Sequence, residues 1–309
     1  MLGVAAALVE GRWVDGDVRV DADGRVAAVG VASPGGTGVA VPGFVDLQLN
    51  GSAGIDVRDA EPDQLLALAS WAASVGTTTF LPTSYSSTID RFVAGLVALG
   101  AAHEVQADGE PTGARLGGAH LEGPFLARRW AGAHDPARLI EPDLLALHRL
   151  IGAGPIALMT LAPELPGAFE LIARLGHAGV AVSLGHTDAD AATCHAAFDA
   201  GAVMLTHCWN AHRRLAGRDP GPAAVAMTRA HVGLICDRVH VADDVVRLTF
   251  AAAHGRVCVV TDAVAPAGTA WESWTIDGAE VRIDRTSARL ADGTLAGSIA
   301  TMDGSVRNL

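Results

Sequence analysis

The sequence predicts a (β/α)8 barrel with a small β-sandwich domain built from its two ends. Three observations carry this. First, eight short apolar runs follow one another from about residue 41: VAVPGFVDLQL, TTTFLPTS, ARLGGAHLE, PIALMTLAP, VAVSLGHT, AVMLTHCW, VGLICDRVH and RVCVVTDAV. Second, most are separated by segments with helical apolar spacing, such as DQLLALASWAASVG and GAFELIARLGHAG. Strands alternating with helices in this way build parallel sheets, and eight of them close a barrel. Third, both ends of the chain carry short apolar runs broken by turn residues, the pattern of hairpins. A doubly wound sheet is the structural competitor, but no Gly-x-Gly-x-x-Gly opens a helix.

Taken in order, residues 1–41 contain turn signals at VDGD (14–17), DADG (21–24) and SPGG (33–36) and are expected to form hairpins. Residues 42–272 form the barrel. Residues 273–300, with WTIDGAEVRI and TSARLADGTLAGS, return to hairpin composition and are expected to join the small domain. Seven helices between strands can be counted. The eighth is expected to start near Met302, so that residues 301–309, TMDGSVRNL, supply only its first turn or two and the chain is cut short within its fold.

The bulk composition narrows the function. Half of the 309 residues are hydrophobic and 18% are charged, enough for a large core. The balance of 22 basic against 34 acidic residues gives a net charge of -12. No basic surplus exists to neutralise a phosphate backbone, which argues against a nucleic-acid partner. A small anionic substrate needs only a local cluster of donors. The four cysteines form no Cys-x-x-Cys pair and suggest no disulfide framework, which fits a reducing compartment. The amino-terminal apolar run has no basic residue before it and is broken by Glu10, so no signal peptide is read there. No stretch is long and uncharged enough to span a bilayer. The expected location is the cytoplasm.

Catalytic groups of a parallel barrel sit at the carboxyl ends of its strands. Those ends supply Glu122 (third), His186 (fifth), His207 (sixth), His240 (seventh) and Asp262 (eighth). One carboxylate and two imidazoles suit a catalytic metal site that keeps a position open for water. A neighbouring aspartate can serve as its general base. Most of the other histidines fall in helical segments, where packing or solvent exposure is the usual role. His120, two residues before Glu122, is expected to support the site rather than bind metal. The first strand ends in Gln48-x-Asn50, where many metal-dependent hydrolases carry His-x-His after the same Pro-Gly-Phe-Val-Asp.

Six motifs in order carry a resemblance: HLEGPF (120–125), GAHDP (132–136), SLGHTDA (183–189), THCWNA (206–211), GRDPG (217–221) and VTDAVAPAG (260–268). From about Pro42 to Asp303 the chain resembles the N-acetylglucosamine-6-phosphate deacetylases of the amidohydrolase superfamily. The resemblance implies one divalent metal per chain, zinc foremost, on Glu122, His186 and His207. Some members carry Gln-x-Asn at the first strand and hold a single metal, and Gln48-Leu49-Asn50 looks like that variant. Asp262 would take a proton from the activated water and return it to the departing amine, and His134 would polarise the acetyl carbonyl. Arg218, His240 and the backbone at Asn210 and Ala211 would meet the phosphate, with Arg218 reaching across a homodimer interface. Ala133 and Leu295-Ala296-Gly297 would line the sugar pocket. The chain departs from the family pattern at Trp130, often basic, and at Trp209-Asn210-Ala211-His212, usually Phe or Tyr followed by Asn-Ala-Met. Two other readings are an N-acyl-amino-acid deacylase or cyclic amidase, and a truncated, inactive binding protein.

Overall fold

The computed structural model describes residues 1–32, 34–85, 87–109 and 113–309. Ser33, the first residue of the SPGG turn signal, lies outside the described residues. The chain divides into two compact units, Met1–Phe44 and Val45–Leu309.

The first unit is made of the expected hairpins. Ala6–Val9 pairs antiparallel with Arg12–Asp15 and parallel with Val39–Ala40. Asp17–Val20 pairs antiparallel with Val26–Val31, joined through DADG. Asp17 is fully buried and accepts backbone hydrogen bonds from Gly3, Val4 and Val18. The run VAVPGFVDLQL is divided rather than continuous. Val39–Ala40 belongs to the amino-terminal sheet and Phe44–Leu49 to the barrel. Pro42, which has no N–H to give a ladder, stands between them.

The second unit is the barrel. Its strands are β1 (Phe44–Leu49), β2 (Thr77–Tyr85), β3 (Ala119–Glu122), β4 (Ile156–Leu161), β5 (Ala181–Leu184), β6 (Met204–Leu205), β7 (His231–Ile235) and β8 (Val257–Val260). All eight overlap the predicted runs, β2 and β7 each reaching one residue beyond. Each pairs with the next in sequence order from β1 to β8. The ring closes at the strand ends, where Leu49 bridges Ala263 and the Asp262 N–H donates to the Gln48 carbonyl at 2.9 Å.

Among the described residues, seven helices cross between strands: α1 (Pro62–Ser74), α2 (Ile89–Asp108), α3 (Leu144–Ile151), α4 (Ala168–His177), α5 (Ala191–Asp199), α6 (Gly221–Arg229) and α7 (Asp243–Ala253). Their starts follow the sequence: Thr88, Asp143 and Asp190 accept hydrogen bonds from the first-turn N–H groups of α2, α3 and α5. In α1 the buried Leu65, Leu68, Ala69 and Ala72 fall on one face at i, i+3, i+4 and i+7. A further helix, α8 (Met302–Arg307), is capped by Thr301.

The returning segment forms its own antiparallel sheet of Ser273–Ile276, Ala279–Ile283 and Ala288–Leu290. Its Ile276, Val281 and Ala288 pack with Tyr85, Val264 and Ala296, beside the carboxyl ends of β2 and β8. That sheet therefore forms part of the wall above the barrel mouth.

Candidate active site

The strand ends deliver the expected groups to one place. Glu122 closes β3, and His186, His207 and Asp262 follow β5, β6 and β8 within two residues. His186, His207, Trp209, Ala211 and Asp262 all have φ between +27° and +81°. Side chains rarely occupy this left-handed region, and such strain gathers at sites where geometry matters more than stability. Gly185 makes the turn at His186 feasible, since a Cβ there would lie 2.6 Å from Thr160 Cγ2.

Three buried donor atoms converge. Glu122 Oε1 lies 2.8 Å from His207 Nε2 and 3.1 Å from His186 Nε2, and the two nitrogens are 3.1 Å apart. The other ring nitrogen of His186 lies 2.7 Å from the Trp130 carbonyl, where it can only donate. That contact gives the donor role to Nδ1 and leaves Nε2 facing Glu122 and His207. Such a set calls for a cation. Burial alone would lower the His207 pKa, but the Glu122 hydrogen bond and charge outweigh it and carry it up to about 9. Burial likewise works to raise Glu122, and its two imidazole partners hold it well below the ordinary range. Both shifts express one demand, positive charge between the three atoms. The residues fit a divalent metal ion, and among the described residues this is the cluster able to hold one.

Around this centre lies a cavity of about 310 Å³, within the size range of small-molecule sites. Asp262, His134, Ala133, Asn210, Ala211, His240, Leu295, Ala296 and Gly297 all line it. Burial pushes Asp262 up to about 6 and the Glu122 charge adds to that, while His207, His240 and the Asn50 amide oppose it. Burial, aided by His186, takes His134 down to about 3, so its ring is neutral beside Glu122. His240 Nδ1 lies 2.7 Å from the Asp237 carboxylate, which leaves Nε2 for a ligand. His120 supports the site from below, between the Leu47 carbonyl and Thr160 Oγ1.

Arg218 is not brought to this cavity. It is exposed on the loop before α6 and does not line the pocket of its own chain. Arg213, by contrast, is held by Asp188 and Asp219. Asp188 also accepts from the Trp130 indole at 2.8 Å and from Arg129. One carboxylate thus ties the loop carrying His134 to the turns after β5 and β6. In the other departure, His212 accepts from the Trp209 N–H at 2.8 Å and bonds the Arg213 carbonyl, bracing the loop after β6.

Sequence reasoning missed the part played by Gln48 and Asn50. Their side-chain amides donate to Asp262 Oδ1 at 3.0 and 2.7 Å. The signal was present in their alternation, which puts both on one side of the chain at the end of β1.

Among curated proteins, the chain is 35% identical to the N-acetylgalactosamine-6-phosphate deacetylase of Escherichia coli O157:H7, covering 98% of this chain and 81% of that protein. It is also 31% identical to the N-acetylglucosamine-6-phosphate deacetylase of Lysinibacillus sphaericus, over 93% of this chain and 76% of that one. The chain belongs to the N-acetylglucosamine-6-phosphate deacetylase family. Solved structures of the family agree. The Mycobacterium smegmatis N-acetyl-D-glucosamine-6-phosphate deacetylase, as a variant in complex with N-acetyl-D-glucosamine-6-phosphate, matches with TM-score 0.88 and 31% identity over 99% of this chain and 81% of that one. The Thermotoga maritima N-acetylglucosamine-6-phosphate deacetylase matches with TM-score 0.89 and 27% identity over 100% and 82%. No family model matches the sequence. Both structural matches cover the barrel and the small sheets, so the deacetylase fold extends over the whole chain.

Proposed function

We propose that this chain hydrolyses the acetamide of N-acetylglucosamine 6-phosphate, giving glucosamine 6-phosphate and acetate. The observation that carries this is the convergence of Glu122, His186 and His207 beside Asp262 in one cavity of a deacetylase-family barrel. An amide is a poor electrophile and its amine a poor leaving group. One divalent metal on those three residues, zinc by the nature of the donors, would supply a water nucleophile at neutral pH. Asp262 accepts the proton of the attacking water and then delivers it to the amine nitrogen as the C–N bond breaks. Neutral His134 donates a hydrogen bond to the acetyl carbonyl oxygen as charge develops there.

His240 and the backbone at Asn210 and Ala211 receive the phosphate. Within one chain no described arginine faces them except Arg129, whose side chain is largely exposed. Arg218 of a second copy is the counter-charge we assign, which makes the working unit a homodimer. A cytoplasmic location goes with the four unpaired cysteines. One observation favours a second sugar: the Escherichia coli relative is named for N-acetylgalactosamine 6-phosphate.

Acetate release from both 6-phosphates and from unphosphorylated N-acetylglucosamine tests the reading. Turnover of the N-acetylglucosamine phosphate well above the other two is expected. Faster turnover of the galactosamine epimer reassigns the sugar, and equal rates without phosphate overturn the phosphate site. Arg218→Ala should raise KM for the phosphorylated sugar and leave the metal in place.

A further inference from the structure

Two side-chain amides converge on one carboxylate oxygen. Gln48 Nε2 lies 3.0 Å and Asn50 Nδ2 2.7 Å from Asp262 Oδ1. All three residues are at least nine-tenths buried. The backbone holds them in this relation. The Asp262 N–H donates to the Gln48 carbonyl, and the Asn50 N–H donates to the Ala263 carbonyl at 2.8 Å. The end of β1 and the turn after β8 are thus stitched in the register that brings both amides to Asp262, whose own φ is +51°.

The geometry points to Gln48 and Asn50 as positioning residues for the reaction, fixing Asp262 so that proton transfer runs through Oδ2 alone. Two donors occupy both lone-pair directions of Oδ1. A carboxylate fixed at one oxygen cannot rotate about its Cβ–Cγ bond without losing both hydrogen bonds. The proton of the attacking water is then taken at Oδ2 and given up from the same atom to the amine, so the carboxyl need not turn between the two transfers. Asn50 lines the cavity, and its amide is turned to the carboxylate there.

The inference rests on Asp262 being the base, and the test separates the two. Gln48→Met and Asn50→Leu keep approximate volume and remove the donors. Each should lower kcat by roughly 10- to 100-fold, the scale of a misplaced reacting group. KM and the bound-metal content should stay at wild-type values. Combined with Asp262→Asn, neither substitution should lower the rate further, because the amides act through a carboxylate already gone. Crystal structures of the single variants should show the Asp262 carboxylate turned from its present orientation, a readout that does not depend on activity. Wild-type kcat with Asp262 unmoved would overturn the inference. So would the same rate loss in the Asp262→Asn background as in the wild type, or a rate loss that tracks loss of metal. Full activity of Asp262→Asn itself would instead overturn the assignment of the base.

Discussion

Asp262 carries opposed demands in one side chain. As the base we propose, it must be ionised to take a proton, yet burial works against its charge. Asp262→Asn keeps the shape and removes the base, so metal should remain bound while the rate falls by roughly two to four decades. Near-normal turnover in that variant would show that another group accepts the proton. The pH profile follows from the same residue. The base form is lost as pH falls through its pKa, so kcat/KM should drop on the acid side with unit slope. A profile flat on the acid side would show that another group accepts the proton.

At the scale of elements, two buried polar groups hold the strand ends. Asp46 in β1 accepts from the Thr261 hydroxyl and from the N–H groups of Thr261 and Gln48. Burial raises it to about 7, those hydrogen bonds opposing. The folded protein therefore keeps this proton between about pH 4 and 7, where the unfolded chain has lost it. Stability should fall as pH rises through that window and level off above it. Urea midpoints between pH 4.5 and 8 measure this, and Asp46→Asn should flatten the slope. The second group is Arg58. It bonds Asp56 and Asp277 and stacks 3.7 Å over the Tyr85 ring, whose hydroxyl donates to Asp56. Asp277 sits in the turn of the carboxy-terminal sheet, and the Tyr85 ring meets His134 edge-on at 6.1 Å. Arg58→Met leaves Asp56 without its guanidinium partner, while Asp277 keeps Arg91, and should cost about 1–3 kcal/mol, the usual scale for leaving a buried acceptor unpaired. An unchanged urea midpoint would show that solvent reaches Asp56.

At the scale of the molecule, one metal ion should link function to stability. Chelation should abolish deacetylation, and adding back a divalent cation should restore it. The melting temperature should fall on chelation, because an ion that binds only the folded chain stabilises it by mass action. Metal analysis should give one equivalent per chain. Two equivalents, or ligands from Gln48 and Asn50, would contradict the single-metal site.

The sequence by itself determined the barrel, because eight apolar runs separated by helical spacing have few other ways to bury their faces. It also determined the metal cluster and Asp262, since strand ends on one side of a parallel barrel must meet. What it could not supply was contact between residues far apart in the chain. Gln48 and Asn50 read as a missing metal pair because their value lies in a carboxylate more than two hundred positions away, reached only when β1 closes against β8. Arg58 and Asp277 are equally distant in sequence and share one buried ion pair. The sequence offered VAVPGFVDLQL as one run, and which sheet each side of Pro42 joined was decided by the strands that came to lie beside it. Local pattern sets what a segment can become. Which donor meets which acceptor is settled by tertiary closure, where each buried polar group has to find its partner.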